Sequence, residues 1–195
     1  MSDAFHTLVN EMHNCQVCES YLGHKPRSVF QISPKATILI AGQAPGLAVH
    51  KSGIPFDDPS GERLRRWMGI SSEVFYDANR IAILPMGLCY PGKGRSGDLA
   101  PRPECAPLWR QRVLNVMPQI ELTLLIGKHA IDWHLGPSKK SNLTEVVKDW
   151  RSCAAGIIPL PHPSPRNNIW LKKNPWFEDE VLPVVKTKVK EILRQ

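Results

Sequence analysis

Ile38-Leu39-Ile40-Ala41-Gly42-Gln43-Ala44-Pro45-Gly46 reads as a buried strand that stops at a glycine and turns through Pro-Gly. Polar, irregular chain follows from Leu47 to Ser60, with Gly53, Pro55, Phe56, Asp57, Asp58 and Pro59. A strand ending in such a loop delivers amides and side chains to the carboxyl edge of a sheet, where open α/β sheets bind ligands. Three further apolar runs match it, at 80–84 (broken by Pro85), 122–126 (ended by Gly127) and 156–160. Segments with helical spacing separate them: 60–68, 103–117 (with Cys105, Leu108, Arg112 and Val116 on or near one face), and 128 through Leu135. A Lys-rich connection and a possible helix at 141–150 come next. A first helix is expected at 4–18 and a last at 176–194, where Pro183 marks a kink or the true start. The last helix has acids at its start and bases at its end, which suits its dipole. Strands alternating with helices predict a three-layer α/β/α sandwich around a central, mainly parallel four-stranded sheet.

The chain has 195 residues, enough for one domain (1–195) with a proper core. It contains no run of about 18 apolar residues, so no membrane span is expected. The start, Met-Ser-Asp-Ala-Phe-His, lacks a basic-then-apolar pattern, so a cytoplasmic location is expected. The net charge of +7 favours a polyanionic partner without naming one. Eighteen prolines and thirteen glycines, spaced between apolar runs, imply long ordered loops.

Four of the five cysteines form a pattern. Cys15 and Cys18 make a C-x2-C knuckle, and Cys89 and Cys105 lie fifteen residues apart across a Gly/Pro loop. Four thiolates from three places can surround a [4Fe-4S] cluster, which needs four cysteines but no fixed order. Zinc is the alternative, although its sites of this kind usually carry a second knuckle. A disulfide suits the expected compartment less, and unrelated buried thiols are the bland reading. Cys153 belongs to the core or surface. His162 follows the fourth strand directly, between prolines in Pro161-His162-Pro163-Ser164-Pro165. Proline fixes φ, so this stiff loop presents its histidine in one orientation.

These motifs together resemble the uracil-DNA glycosylase superfamily, in particular its iron–sulfur branches. Gly42-Gln43-Ala44-Pro45-Gly46 is similar to the first family motif and His162-Pro163-Ser164-Pro165-Arg166-Asn167 to the second. Cys15, Cys18, Cys89 and Cys105 resemble the cluster ligands of the family 4 enzymes, gap included. Phe56 stands where those enzymes stack a ring on the extruded base, and Gly127-Lys128-His129-Ala130 occupies the family's strand-to-helix joint. The resemblance implies hydrolysis of the N-glycosidic bond of a damaged base that is flipped out of DNA. It implies DNA as partner, with a pocket of Gln43, Ala44, Phe56 and His162 bordered by Gly42, Ser164, Arg166 and Asn167; a monomer is the expected state. His162 would stabilise the departing base anion. The loop from Pro165 to Lys173, with Arg166, Ile169 and Trp170, would wedge into the gap left in the duplex; packing under the loop is the alternative for Trp170.

The chain departs from the family at three positions. Gln43 replaces the glutamate of family 4 at the catalytic position and cannot act as a base. Ala44 stands where the classical enzymes carry an aspartate. In family 5 an aspartate shortly before Ser-Gly takes over, and Asp58-Pro59-Ser60-Gly61 matches that arrangement. Asp58 is thus the expected catalytic acid and Asp57 the second choice; a helix cap or loop turn is the alternative for both. Pro85 occupies the place of the base-reading asparagine, and Asn79, at the other end of the strand, is a poor substitute. Either another deaminated base, hypoxanthine or xanthine, is the substrate, or the backbone at Pro85-Met86-Gly87 reads it. A DNA-binding iron–sulfur protein with weak or lost activity is the competing reading.

Overall fold

The computed structural model describes residues 3–136 and 142–194. Its centre is one fully parallel sheet of order β2-β1-β5-β6, built from β1 (Ile38–Ala41), β2 (Ile81–Ile83), β5 (Leu122–Ile126) and β6 (Ile157–Leu160). Between β2 and β5 the chain makes a small hairpin, β3 (Lys93–Gly94) and β4 (Gly97–Asp98). The helices are α1 (Asp3–His13), α2 (Leu47–Ser52), α3 (Pro59–Met68), α4 (Ser72–Phe75), α5 (Cys105–Asn115), α6 (Lys128–Leu135), α7 (Leu143–Lys148), α8 (Asn168–Lys173) and α9 (Leu182–Leu193). Among the described residues no helix is long and apolar enough to cross a membrane.

The period of two along each strand sorts the core into layers. Ile38 and Ile40 join Ile81, Ile83, Leu122 and Leu124 against α3, α4 and α9, in the cluster of Leu64, Phe75, Val185 and Val189. Leu39 and Ala82, partners across β1 and β2, face the other way onto Leu8 and Met12 of α1 and Trp109 and Val113 of α5. Ala41 and Leu125, next along that face, meet Ala130 and Ile131 of α6. All four residues of β1 are at most 1% exposed. This is the expected three-layer sandwich. The Lys-rich connection lies largely outside the described residues.

Several local expectations are corrected. The first helix stops at His13 rather than 18: the Asn14 N–H still reaches the Asn10 carbonyl (3.0 Å), but the next bond, from the Cys15 N–H to the Met12 carbonyl (3.4 Å), is already of the tighter i−3 kind. The stretch from Leu47 to Ser60, expected to be irregular, holds α2, closed by Gly53 at φ 77°. The loop expected between Gly87 and Arg102 carries the β3–β4 hairpin. The segment from Pro165 to Lys173 is helical, a 3-10 turn over Pro165–Asn167 running into α8. On α5 the buried face is Ala106, Trp109, Arg110 and Val113, while Leu108 is 36% exposed. The bulk of Trp109 sets that orientation. Pro183 marks the true start of the last helix: it has no N–H to give the preceding turn, which widens to π geometry over Phe177–Val181.

Arg110 is only 2% exposed. It donates from Nη1 to the Leu84 carbonyl (3.0 Å) and from Nε to His134 Nε2 (2.8 Å). Burial lowers its pKa to about 10. Burial, and then the guanidinium itself, lowers that of His134 to about 4. His134 therefore accepts as a neutral ring. An unfolded histidine, with a pKa of 6.5, takes up a proton before the folded one does. Stability from this pair is complete above about pH 6.5 and is lost as pH falls toward 4. Urea titrations of wild type against His134→Gln, which keeps an acceptor but does not titrate, should show the wild type losing roughly 1–2 kcal/mol more across that window, a figure reduced for the partial exposure of His134.

Candidate active site and cysteine centre

From β1 the chain moves outward to β2 and then crosses back to β5 on the other side of β1. The connections leaving β1 diverge, and the crevice they leave opens at the carboxyl end of that strand. A cavity of about 510 Å³ fills it. Gly42, Gln43, Ala44, Phe56, Asp58, His162, Ser164, Arg166 and Asn167 all line it, so the site residues expected from the sequence come together in one place. Asp57 is exposed and does not line the cavity.

Phe56 is held tightly. It takes a left-handed backbone conformation (φ 56°), which a bulky residue adopts only under constraint. Its ring stands edge-on to Phe75 at 6.2 Å. A side chain at Gly42 would begin 3.5 Å from the ring, and one at Gly61 would fall 1.8 Å from the Phe56 carbonyl oxygen. Gly61 therefore admits this loop, whereas a side chain at Gly42 would only make ordinary contact with the ring.

His162 is nearly buried, and burial lowers its pKa, against the raising effect of the charges of Asp58 and Asp98. Its Nδ1 receives the Ser164 N–H (3.2 Å), which assigns the ring proton to Nε2. The side chain of Asn167 donates to the His162 carbonyl (2.7 Å), and the Ser164 hydroxyl accepts the Arg166 N–H (3.3 Å). Arg63 on α3 reaches across to the Ser164 carbonyl (3.0 Å) and Asn168 Oδ1 (2.7 Å). The result is a neutral ring with one available N–H, locked in a stiff loop.

Asp58 takes the helix-cap alternative and also stands at the cavity edge. It is the N-cap of α3, with Oδ1 accepting the Gly61 N–H (2.9 Å). Gln43 donates weakly to the Leu99 carbonyl (3.4 Å). Pro85 lines the cavity, whereas Asn79 is occupied with the Ser33 hydroxyl (2.8 Å) outside it. The Met86 and Gly87 N–H groups are already given to the Gly42 and Gln43 carbonyls (2.9 Å each), so these donors do not read a base. Of the wedge residues, Ile169 is 68% exposed. Trp170 turns inward, donating to Thr144 Oγ1 (2.8 Å) and packing on Trp176 and Phe177.

Sequence reasoning missed one wall. Ser96, Gly97, Asp98 and Leu99 of the hairpin border the cavity, and Asp98 brings a second carboxylate, 3.5 Å from the Tyr90 hydroxyl. A side chain on Gly97 would meet the Arg166 guanidinium at 2.6 Å, so the hairpin lies directly on the second motif. The signal was Gly94-Arg95-Ser96-Gly97, two residues between glycines, a hairpin turn by spacing.

On the far side of the loop after β2, Cys15, Cys18, Cys89 and Cys105 all line a second, small cavity with Pro26, Ser28, Gly87, Leu88, Arg102 and Trp109. The Leu88 N–H donates to Cys105 Sγ (3.3 Å), and the Ser28 hydroxyl lies 3.8 Å from Cys89 Sγ. Burial pushes the Cys105 thiol up to about 12 and raises Cys18 and Cys89 as well. Among the described residues no three histidine, cysteine or acidic side chains are set to hold a metal ion as they stand. The only strong metal donors in the lining are the four sulfurs. Cys153 is not among them.

Gly61→Ala should displace the Phe56 carbonyl and lower stability by about 1–3 kcal/mol, the usual cost of overpacking. Denaturation, together with loss of the Phe56–Phe75 ring contact in nuclear Overhauser spectra, checks this.

Comparison with known proteins agrees with the geometry. The chain is 25% identical over 169 residues to the type-4 uracil-DNA glycosylase of Sulfurisphaera tokodaii, covering 83% of this chain and 75% of that one. It is also 25% identical over 135 residues to the type-4 uracil-DNA glycosylase of Saccharolobus solfataricus, covering 67% of this chain and 59% of that one. Residues 29–186 match the family described as the uracil DNA glycosylase superfamily. With most of its length matched and the site at the expected sheet edge, the chain belongs to the uracil DNA glycosylase superfamily, whose members are hydrolases of N-glycosyl bonds.

Proposed function

We propose that this protein hydrolyses the N-glycosidic bond of a deaminated base flipped out of DNA, as a step in base-excision repair. One observation carries the reading: His162 is a neutral ring with its proton assigned to Nε2, on the cavity that Phe56 and Asp58 also line. As the C1′–N bond lengthens, positive charge develops on the sugar and negative charge on the base. A pre-set N–H at His162 stabilises the base anion, the more strongly where water is excluded. Phe56 offers its ring to the flipped base. Gly42 and Ala44 leave room for it, and Gln43 marks one side of the pocket without acting as a base.

Asp58 orients the attacking water. The water oxygen bonds to C1′, the base leaves with the electrons of the broken bond, and the proton of the water passes to the carboxylate or solvent. The Oδ1 bond to Gly61 fixes the carboxylate while Oδ2 keeps its lone pairs. Arg166, Ser164 and Asn167 hold the DNA backbone beside the pocket, with Ile169 exposed next to them. Uracil is the first substrate to test, because the relatives are named for it. Hypoxanthine and xanthine follow, since Pro85 offers no side-chain amide.

Four thiols in one cavity fit either a [4Fe-4S] cluster or zinc; the cluster is the preferred reading because Cys89 and Cys105 form no second C-x2-C knuckle of the kind such zinc sites usually carry. Cys15, Cys18, Cys89 and Cys105 would be the ligands, and the group would brace the fold away from the reaction. Anaerobically purified protein should be brown, with about four irons per chain. A colourless protein holding zinc alone would replace the cluster with the alternative metal.

The deciding experiment is excision from oligonucleotides carrying uracil, hypoxanthine, xanthine or mismatched thymine, single- and double-stranded. His162→Ala should cut the single-turnover rate by about 10³-fold or more with DNA affinity nearly intact. Asp58→Asn, which preserves the cap, should cost about 10²-fold or more without loss of stability. Absence of excision from every oligonucleotide, with salt-sensitive DNA binding retained, would favour a DNA-binding member of the fold that has lost the chemistry.

A further inference from the structure

The segment Pro26–Val29 separates the two cavities. Pro26 and Ser28 line the cysteine cavity. Val29, the next residue, lines the base pocket and is 2% exposed, and its N–H donates to the Leu88 carbonyl (2.8 Å). Between them Arg27 turns toward α2. Its Nη1 donates to the His50 and Lys51 carbonyls (2.8 Å each) and its Nη2 to the Ser52 carbonyl (3.3 Å).

Those are the last carbonyls of a six-residue helix, far too short to persist alone. Its final carbonyls need donors, and a guanidinium at the negative end of the helix supplies them with favourable charge. Gly53 makes the clasp possible: a side chain there would fall 2.2 Å from Arg27 Nη2. Leu47, Ala48 and Val49 of the clasped helix are pocket lining, and the helix leads through Gly53 and Pro55 to Phe56. At its other face the segment is anchored to the cysteine centre. The Ser28 hydroxyl donates to the Met12 carbonyl (2.8 Å) and lies 3.8 Å from Cys89 Sγ.

We propose that Arg27 is a positioning residue that couples the cysteine centre to the base pocket by clasping the carboxyl end of α2. The order of the cysteine centre thus sets the order of a pocket wall with which it shares no residue. The inference deepens the glycosylase reading above, but its test does not depend on excision.

Amide hydrogen exchange on the purified protein tests it, read at His50 and Gly53, whose N–H groups close α2 onto the Gly46 and Val49 carbonyls (2.8 Å each). Arg27→Met should lower protection there by about tenfold or more, while amides of β5 keep theirs and the visible spectrum and metal content stay those of wild type. Arg27→Lys, which restores the charge, should recover part of the protection. Cys89→Ser should loosen the same two amides with Arg27 still present. If that variant does not fold, Ser28→Ala, which keeps all four cysteines, should do the same to a smaller degree. Unchanged α2 protection in Arg27→Met would overturn the clasp. Loss in Arg27→Met with none in either Cys89→Ser or Ser28→Ala would overturn the coupling. A wild type that excises no base would refute the glycosylase reading and leave this result standing.

Discussion

Everything in this molecule depends on β1 being enclosed. It is paired in parallel on both edges, with β2 and with β5, and covered on both faces. A strand so placed must be apolar at every position, and Ile38-Leu39-Ile40-Ala41 is. Since both neighbours run parallel to it, the chain must leave its carboxyl end, cross a face and return, once to each side. The crevice between those departures is the cavity proposed to receive the base. The same register continues past the strand end, where the Leu84, Met86 and Gly87 N–H groups bond to Ile40, Gly42 and Gln43. The pocket floor is therefore an extension of the sheet and inherits its rigidity.

On that floor the site works by opposed electrostatic demands. Burial keeps His162 neutral, while two carboxylates pull the other way. The Ser164 N–H resolves the conflict in favour of one tautomer by donating to Nδ1. Asp58 shows how few residues are needed. The bond that starts α3 also fixes the carboxylate beside the cavity, so one hydrogen bond serves both helix initiation and the proposed site.

Much of this was legible in the residues. Uninterrupted apolar runs ending in Gly or Pro located all four strands, since parallel strands covered on both faces leave no other pattern. The proline-flanked His162 was legible because prolines stiffen its loop, whereas Phe56 was placed through the family resemblance and its left-handed backbone was not signalled. What the sequence concealed is short and held by tertiary contacts. Helix α2 has six residues and no side-chain N-cap, and its clasp comes from Arg27, 23 residues before His50. The hairpin wall has two-residue strands and polar turns, too little apolar periodicity to register. The orientation of α5 turned on Trp109 outcompeting Leu108 for the interior, a packing contest that spacing does not decide.

The silent floor also bears on how such a pocket changes its preferences. With the Met86 and Gly87 amides spent on the ladder and Pro85 offering no side-chain partner, the floor presents no free N–H donor at these positions, and on the proposed reading base preference would draw on groups above it. The nearest adjustable ones sit on the β3–β4 hairpin, whose turn at Arg95 and Ser96 takes no part in the central sheet. Residues can be exchanged, added or removed there without shifting the register of any buried strand. The fold thereby separates an inflexible chassis from an interchangeable tip, so diversification of substrate range need not compromise the core.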